Sequence, residues 1–179
     1  MSQSTPFLTP EAEAEIVEAI RLAELQTSGE IRVHLEKSTS KVPFDRALEV
    51  FHSLNMHATE LKNGVLIYVA YLDKKFVICG DQGINELVPA NFWDTTKDLM
   101  ASHFKSGDFA TGLVSGIAQV GEQLKTYFPL LENDQNELSN EISNLYFAGR
   151  SISDPRDGNE VATTQGGRTV GTAASRAEA

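Results

Sequence analysis

The chain has 179 residues, of which 25 are acidic and 15 are lysine or arginine, so its formal net charge at pH 7 is −10. An acidic balance spread along the chain argues against a nucleic-acid partner and is compatible with binding cations. The single cysteine, Cys79, excludes an internal disulfide and a multi-cysteine metal site, and no apolar run approaches the roughly 18 residues of a membrane span.

The first part of the chain predicts a strand, a helix and a second strand in succession. A helix starts at the capping residue Thr9 and stops at Gly29. Residues 30–36 alternate between apolar and polar, which predicts a half-buried strand. Helical spacing returns over residues 44–56, ahead of a long apolar run. This order predicts two parallel strands joined by a helix.

Residues 63–84 predict a β-hairpin at the centre of the sheet. The first half is an unbroken run of β-branched and aromatic residues, typical of a strand buried on both faces. The second half resumes after a polar interruption at residues 73–75. Because the two strands run in opposite directions, Asp81 at the end of the second returns beside Asn63 at the start of the first.

Two further helices are predicted over residues 91–104 and 109–127, the second ending before Pro129. Gly112 and Gly116 lie one turn apart in the second of these helices and indicate close backbone packing against the sheet. Strands alternating with helices place the chain in the α/β class.

The composition changes after residue 131, so we predict an α/β domain over residues 1–131 and a polar extension over residues 132–179. Apolar residues at helical spacing predict a short helix over residues 136–147. Residues 150–179 are polar, small and nearly without large apolar groups, which predicts disorder.

Oxygen-bearing side chains are predicted to meet at one edge of the sheet. Glu30 begins the first strand, Asn63 precedes the parallel strand, and Asp81 ends the antiparallel one, with neighbouring strands about 5 Å apart. Together with Glu86 they would suit calcium or magnesium. The alternative is that Asp81 is an ordinary turn residue and Glu30 the solvated start of a strand.

Other signals for chemistry are weaker. The opposite edge of the sheet offers polar side chains, including a lysine that could accept an anion: Glu36, Ser38, Thr39, Lys41 and Asp73. The four histidines show no helical zinc spacing, and His34 on the polar side of its strand is expected to be solvated. Any hydrolysis would therefore be metal-assisted.

Four segments in this order resemble the TPM domain, found in thylakoid-lumen phosphatase-like proteins and many bacterial proteins. They read Thr27-Ser-Gly-Glu-Ile-Arg-Val, Asn63-Gly-Val-Leu-Ile-Tyr-Val-Ala, Phe76-Val-Ile-Cys-Gly-Asp-Gln-Gly-Ile84 and Phe104-Lys-Ser-Gly-Asp-Phe-Ala-Thr-Gly-Leu113. The resemblance covers about residues 7–129. It implies a three-layer α/β/α sandwich around a small mixed β-sheet.

Proteins with this domain are described as acid phosphatases, divalent-cation binders and accessory factors. By position, the resemblance puts Asp81 in the family's acidic loop and Glu30 near it. The hypothesis is a domain that binds a divalent cation, calcium first and magnesium second, at Asp81, Glu30, Asn63 and Glu86. A metal-dependent acid phosphatase and a protein-interaction module with an unidentified partner are the alternatives.

The N-terminus has no charged segment followed by an apolar one, in contrast to many proteins that this chain resembles. No membrane anchor is evident either. We therefore expect a soluble protein that stays in the cytoplasm.

Overall fold

The structure is a computed structural model that describes residues 6–144 and 175–178. Within these residues the helices are α1 (Pro10–Glu24), α2 (Pro43–Ser53), α3 (Gln82–Asn85), α4 (Asp94–Lys105) and α5 (Phe109–Tyr127), with a 3-10 turn at Met56–Ala58. The strands are β1 (Glu30–Glu36), β2 (Gly64–Ala70), β3 (Lys75–Gly80), β4 (Ser143–Asn144) and β5 (Ser175–Glu178).

The strands form one mixed sheet in the order β4-β1-β2-β3-β5. Parallel pairing places Glu30 of β1 opposite Gly64 of β2, and antiparallel pairing places Val65 of β2 opposite Gly80 of β3. The strand–helix–strand unit, the central hairpin and the α/β class predicted from the sequence are therefore confirmed.

Two hydrophobic cores lie on the two faces of the sheet, because alternate residues of each strand point to opposite faces. Helices α1, α4 and α5 contribute to the larger core, together with residues such as Ile31 and Ile67. Helix α2 contributes to the smaller core, together with residues such as Leu66 and Cys79. Every residue of β2 is buried, and the two cores are consistent with the predicted α/β/α layering.

The segment after α5 packs along the sheet, so the predicted boundary at residue 131 is not a break in packing. Pro129 pairs with Thr27 in an isolated bridge, and β4 then pairs parallel to β1. The predicted helix over residues 136–147 is absent from residues 136–144, and residues 145–147 lie outside the described part. Backbone groups here bond to neighbouring elements, which competes with helix formation.

The predicted disorder beyond residue 150 falls mostly on residues that the structure does not describe. Residues Ser175–Glu178 are the exception, since they form β5 and pair antiparallel to β3. A helix over residues 109–127 is confirmed, whereas α4 begins at Asp94 and not at residue 91. The preceding residues form a turn in which the Asp94 N–H bonds to the Asn91 carbonyl.

Two local predictions need correction. His34 is only 3% exposed, because Ser143 of β4 and the side chain of Tyr68 lie against it. Gly112 and Gly116 do allow close packing, but the side chains they admit are Phe104 and Met100 of α4 and not the sheet. No helix in the described residues is long and apolar enough to cross a membrane.

Thr9 caps α1, since its hydroxyl oxygen accepts a hydrogen bond from the Ala12 N–H at 3.2 Å. Replacing Thr9 by alanine leaves that N–H without its acceptor, and we expect a loss of about 1 kcal/mol in the free energy of unfolding, measured by urea denaturation. The control is Thr111→Ala on the exposed side of α5. Equal effects of the two substitutions would contradict a capping role for Thr9.

Candidate functional site

The main chains of Glu30, Asn63 and Asp81 do meet at one edge of the sheet. The Glu30 N–H donates to the Asn63 carbonyl at 3.2 Å, and the Asp81 N–H donates to the Gly64 carbonyl at 2.9 Å. This edge follows directly from the parallel and antiparallel pairing of the three central strands.

The carboxylates of Glu30 and Asp81 are nevertheless apart. Strand alternation puts both on the α2 face, but β2 runs between them, so their strands are separated by about 10 Å, or two inter-strand spacings. Met56 fills the intervening space, since a Cβ added to Gly64 would lie 3.2 Å from the Met56 carbonyl oxygen and 3.5 Å from its Cε. The two carboxylates therefore belong to different surroundings.

Glu30 holds the segment that follows α5. Its side chain is buried, and its two oxygens accept hydrogen bonds from the N–H groups of Glu137 at 2.8 Å and Leu138 at 3.2 Å. Burial raises the pKa of Glu30; these N–H groups oppose the rise, and the charges of Glu137 and Asp134 add to it. Glu30 is thus a structural anchor beside acidic neighbours.

Asn63 and Glu86 lie in two further environments. The Asn63 amide donates to the Ser28 carbonyl at 2.9 Å, while its buried Oδ1 has no hydrogen-bond partner in the described part of the chain. Glu86 is exposed and accepts a hydrogen bond from the Gln82 side chain at 2.8 Å. The structure does not gather the four predicted ligands into one cluster.

Asp81 lies near one lysine and two histidines, namely Lys62, His57 and His52. One carboxylate oxygen accepts the Gln82 N–H at 2.7 Å, and the other is buried with no hydrogen-bond partner among the described residues. Burial raises the pKa of Asp81, whereas the Gln82 N–H and then the charges of Lys62, His57 and His52 lower it. The positive charge of Lys62 opposes calcium binding at this carboxylate.

A stronger concentration of carboxylates lies where β1 begins. A pocket of about 190 Å³, which we name the β1 pocket, is lined by acidic residues from three parts of the chain, namely Glu24, Glu30 and Asp134. Glu24 Oε1 accepts the Ile31 N–H at 2.8 Å. The β1 pocket also has neutral oxygen ligands in Gln135, Asn136 and Asn140, and one cation, Arg21, which is paired with Glu18 at 2.7 Å.

The ionisation of Glu24 reflects this crowding. Burial has the largest effect and raises its pKa from an ordinary 4.5 to about 8, with the charges of Glu30 and Asp134 adding to the rise. Hydrogen bonds from Ile31 and Asn140 oppose it. At pH 7 the protonated form of Glu24 is therefore favoured, since burial disfavours its ionised form and the neighbouring carboxylates repel it.

A second, larger pocket of about 470 Å³, which we name the outer pocket, shares residues with the first. Its acidic lining residues are Glu60, Glu132, Asp134 and Glu137. The Glu137 carboxylate accepts the Glu60 N–H at 3.1 Å. Residues 132–137 thus bring carboxylates to both pockets. Within residues 6–144 and 175–178, however, no three side chains of histidine, cysteine, aspartate or glutamate are arranged so that they could hold a metal ion together.

Sequence reasoning missed Glu24 and Asp134 as candidate ligands. Glu24 is the last residue of α1, and nothing in a helical pattern indicates that its carboxylate turns toward the next strand. A signal for Asp134 was present, because residues 132–137 read Glu-Asn-Asp-Gln-Asn-Glu and every side chain carries an oxygen ligand. Composition alone places that run at the start of the polar extension.

The opposite edge of the sheet is occupied by ion pairs. The buried Glu36 carboxylate accepts two hydrogen bonds from Arg46, at 2.9 and 3.1 Å, and one from the Tyr68 hydroxyl. Lys41, the candidate for an anion, bonds to Glu49, and Asp73 accepts the Thr39 N–H at 2.7 Å. Each of these groups already has a partner, so none of them is free to bind an anion.

The family model of the TPM domain matches residues 1–123, whereas no curated protein matches the chain. The BA42 protein of the psychrophilic bacterium Bizionia argentinensis, solved by NMR, is 56% identical; the match covers 80% of this chain and 99% of that one, with a TM-score of 0.76.

Two more distant NMR structures share the fold. One is the N-terminal domain of a protein from P. gingivalis, with 22% identity, coverage of 68% of this chain and 78% of that one, and a TM-score of 0.57. The other is the N-terminal domain of cg2496 from Corynebacterium glutamicum, with 13% identity, coverage of 75% and 95%, and a TM-score of 0.54. With the family model and the similarity to BA42, these findings establish that the chain belongs to the TPM domain family.

Proposed function

We propose that this TPM domain binds a divalent cation, calcium in preference to magnesium, in the β1 pocket. The observation that carries the proposal is that Glu24, Glu30 and Asp134 line one pocket, where burial and mutual repulsion raise the pKa of Glu24 to about 8. A bound cation would relieve that repulsion by attracting the ionised form of each carboxylate. Two of the three residues differ from the ligands predicted from sequence.

The donor set suits calcium. All the side chains concerned offer oxygen atoms, from carboxylates and from the amides of Gln135, Asn136 and Asn140. Calcium accepts six to eight oxygen ligands in flexible geometry, whereas magnesium requires a near-ideal octahedron. Because Glu24 and Glu30 each already accept backbone hydrogen bonds, Asp134 and the amides must close around the ion on binding.

Calcium binding is expected to release protons. At pH 7 the ion displaces the proton of Glu24, so we expect close to one proton released per ion and an affinity that rises with pH toward about 8. Calorimetric titration in two buffers of different ionisation enthalpy measures the released protons. Saturable binding without proton release would contradict the role of Glu24.

Matched variants locate the ion. Asp134→Asn and Glu24→Gln are expected to weaken calcium binding by about tenfold or more, since each removes a charged ligand, and Glu24→Gln should also abolish proton release. Glu15→Gln removes the same charge from an exposed position of α1 and should have little effect. Weakening by Asp81→Asn with Asp134→Asn unchanged would move the site to the edge residue predicted from sequence.

Phosphatase activity would depend on the same ion. If the domain hydrolyses phosphomonoesters, turnover of p-nitrophenyl phosphate is expected only with metal present and is expected to fall in Asp134→Asn along with calcium affinity. No turnover with saturating calcium would leave cation binding as the function of the pocket.

A further inference from the structure

Exposed leucines concentrate at the end of the sheet where β1 begins. The described residues have nine large apolar side chains that are well exposed, and four of them line the two pockets of this region. Leu25 and Leu130, 56% and 51% exposed, line the β1 pocket, while Leu61 and Leu131, 42% and 51% exposed, line the outer pocket. Single exposed leucines are normal on a protein surface, whereas a group of neighbours indicates a contact site.

The two pockets form one groove, because Asp134 and Gln135 line both of them. In the outer pocket, residues 60–61 contribute one wall and residues 131–137 the other. The Glu137 carboxylate joins these walls by accepting the Glu60 N–H at 3.1 Å, and the Glu30 carboxylate holds the Glu137 N–H at 2.8 Å. The groove is therefore formed before any partner binds.

The groove carries negative charge that the described residues do not neutralise. Glu60, Glu132 and Asp134 are exposed and line the outer pocket, to which no lysine, arginine or histidine contributes. Their carboxylates make no ion pair or hydrogen bond within the described residues. Lys62 is close in the chain, but its ammonium group donates to the His57 carbonyl. A partner with positive charge would be complementary to this surface.

We propose that the groove binds a basic segment of a partner protein, in which lysine or arginine residues are interspersed with apolar ones. The apolar side chains of the segment would cover the exposed leucines, and its cationic groups would pair with Glu60, Glu132 and Asp134. A neutral apolar segment would desolvate these carboxylates without supplying a cation, which costs free energy. Nucleic acids and anionic membranes are disfavoured, because the same carboxylates repel them.

The test is fluorescence anisotropy of the labelled peptide Gly-Lys-Leu-Lys-Lys-Leu-Lys-Gly, titrated with the full chain in the presence of a chelator that removes calcium. We expect saturable binding that weakens as the salt concentration rises. A second peptide has glutamate in place of each lysine, and a third has serine in place of each leucine. Each of these two control peptides should bind at least about tenfold more weakly, since the groove requires both charge and apolar contact.

Matched variants locate the bound peptide. Glu60→Gln and Glu132→Gln should each weaken binding by about threefold, and Leu131→Ser by about fivefold. Glu15→Gln on α1 and Leu72→Ser in the turn between β2 and β3 remove the same groups elsewhere and should leave the affinity unchanged. All five positions are exposed, so amide spectra that match the unmodified chain are expected and serve to show that folding is intact.

Three outcomes would overturn the proposal. Equal affinity for the peptide with serine in place of leucine would show only general attraction to an acidic chain. Unchanged affinity in Glu60→Gln, Glu132→Gln and Leu131→Ser would place the peptide elsewhere. A dimer in size-exclusion chromatography that Leu131→Ser dissociates would identify a second copy of the chain as the occupant. Since Glu60 and Glu132 do not line the β1 pocket, these results are independent of calcium binding there.

Discussion

Replacing Gly83 by alanine is expected to lower the free energy of unfolding by about 2–3 kcal/mol, because there is no room for a side chain at this position. A Cβ on Gly83 would lie 2.3 Å from the Leu61 carbonyl oxygen and 2.7 Å from that of Lys62. The obstacles are backbone atoms and cannot rotate away. The Gly83 N–H also donates to the Lys62 carbonyl at 2.9 Å, so the added methyl group would break this contact.

The conformation of the opposing loop increases the effect. Lys62 has a φ of 51° and Asn55 a φ of 56°, so this loop already contains two left-handed residues and has little freedom to retreat. Alanine in α3 recovers part of the loss through its better helix propensity. We therefore expect the net loss in the free energy of unfolding to lie within the range that is typical of substitutions that overpack a site.

The control for Gly83→Ala is Gly107→Ala. Gly107 has a φ of 81° and no atom within 4 Å of an added Cβ, so alanine there suffers only backbone strain of about 1 kcal/mol. Urea unfolding of both variants measures the two effects. If Gly83→Ala were no more destabilising than Gly107→Ala, the close approach of α3 to the backbone of Leu61 and Lys62 would be disproved.

The central sheet could be predicted from sequence because local patterns determine it. The apolar run of residues 64–70 and the polar interruption at residues 73–75 specify a buried hairpin, and the structure has β2 and β3 there. The capping residue Thr9 likewise predicts the start of α1 correctly. In these segments side-chain period and turn chemistry act within a few residues.

Features that depend on contacts between distant residues could not be predicted in this way. Residues 136–142 have helical spacing, yet the Glu30 carboxylate, 107 residues from Glu137 in the chain, holds this segment. The same limitation applies to the candidate site. The predicted edge is real, but Met56 separates Glu30 from Asp81, while Asp134 is brought to Glu30 by the path of the chain after α5.

Arg46→Met is expected to lower the free energy of unfolding at pH 7 by about 3 kcal/mol, because it leaves the buried Glu36 carboxylate without its cation. Glu36 is 2% exposed, and Arg46 binds it with two hydrogen bonds, at 2.9 and 3.1 Å. The Tyr68 hydroxyl would be the remaining hydrogen-bond donor to Glu36. The control is Arg21→Met, which removes a largely exposed ion pair with Glu18 and should have a much smaller effect.

The dependence of stability on pH tests the same interaction. Burial alone would raise the pKa of Glu36, but His34, Arg46 and Tyr68 together lower it to about 2. Because the folded-state pKa lies below the ordinary 4.5, the stabilisation of about 3 kcal/mol is complete well above pH 4.5 and is lost as the pH falls toward 2. Arg46→Met should weaken this dependence, since His34 and Tyr68 remain to lower the pKa of Glu36, and the stability difference between the variant and the unmodified chain should shrink in acid. A stability difference that stays constant from pH 7 to about 2 would show that Arg46 acts through packing and not through the charge of Glu36.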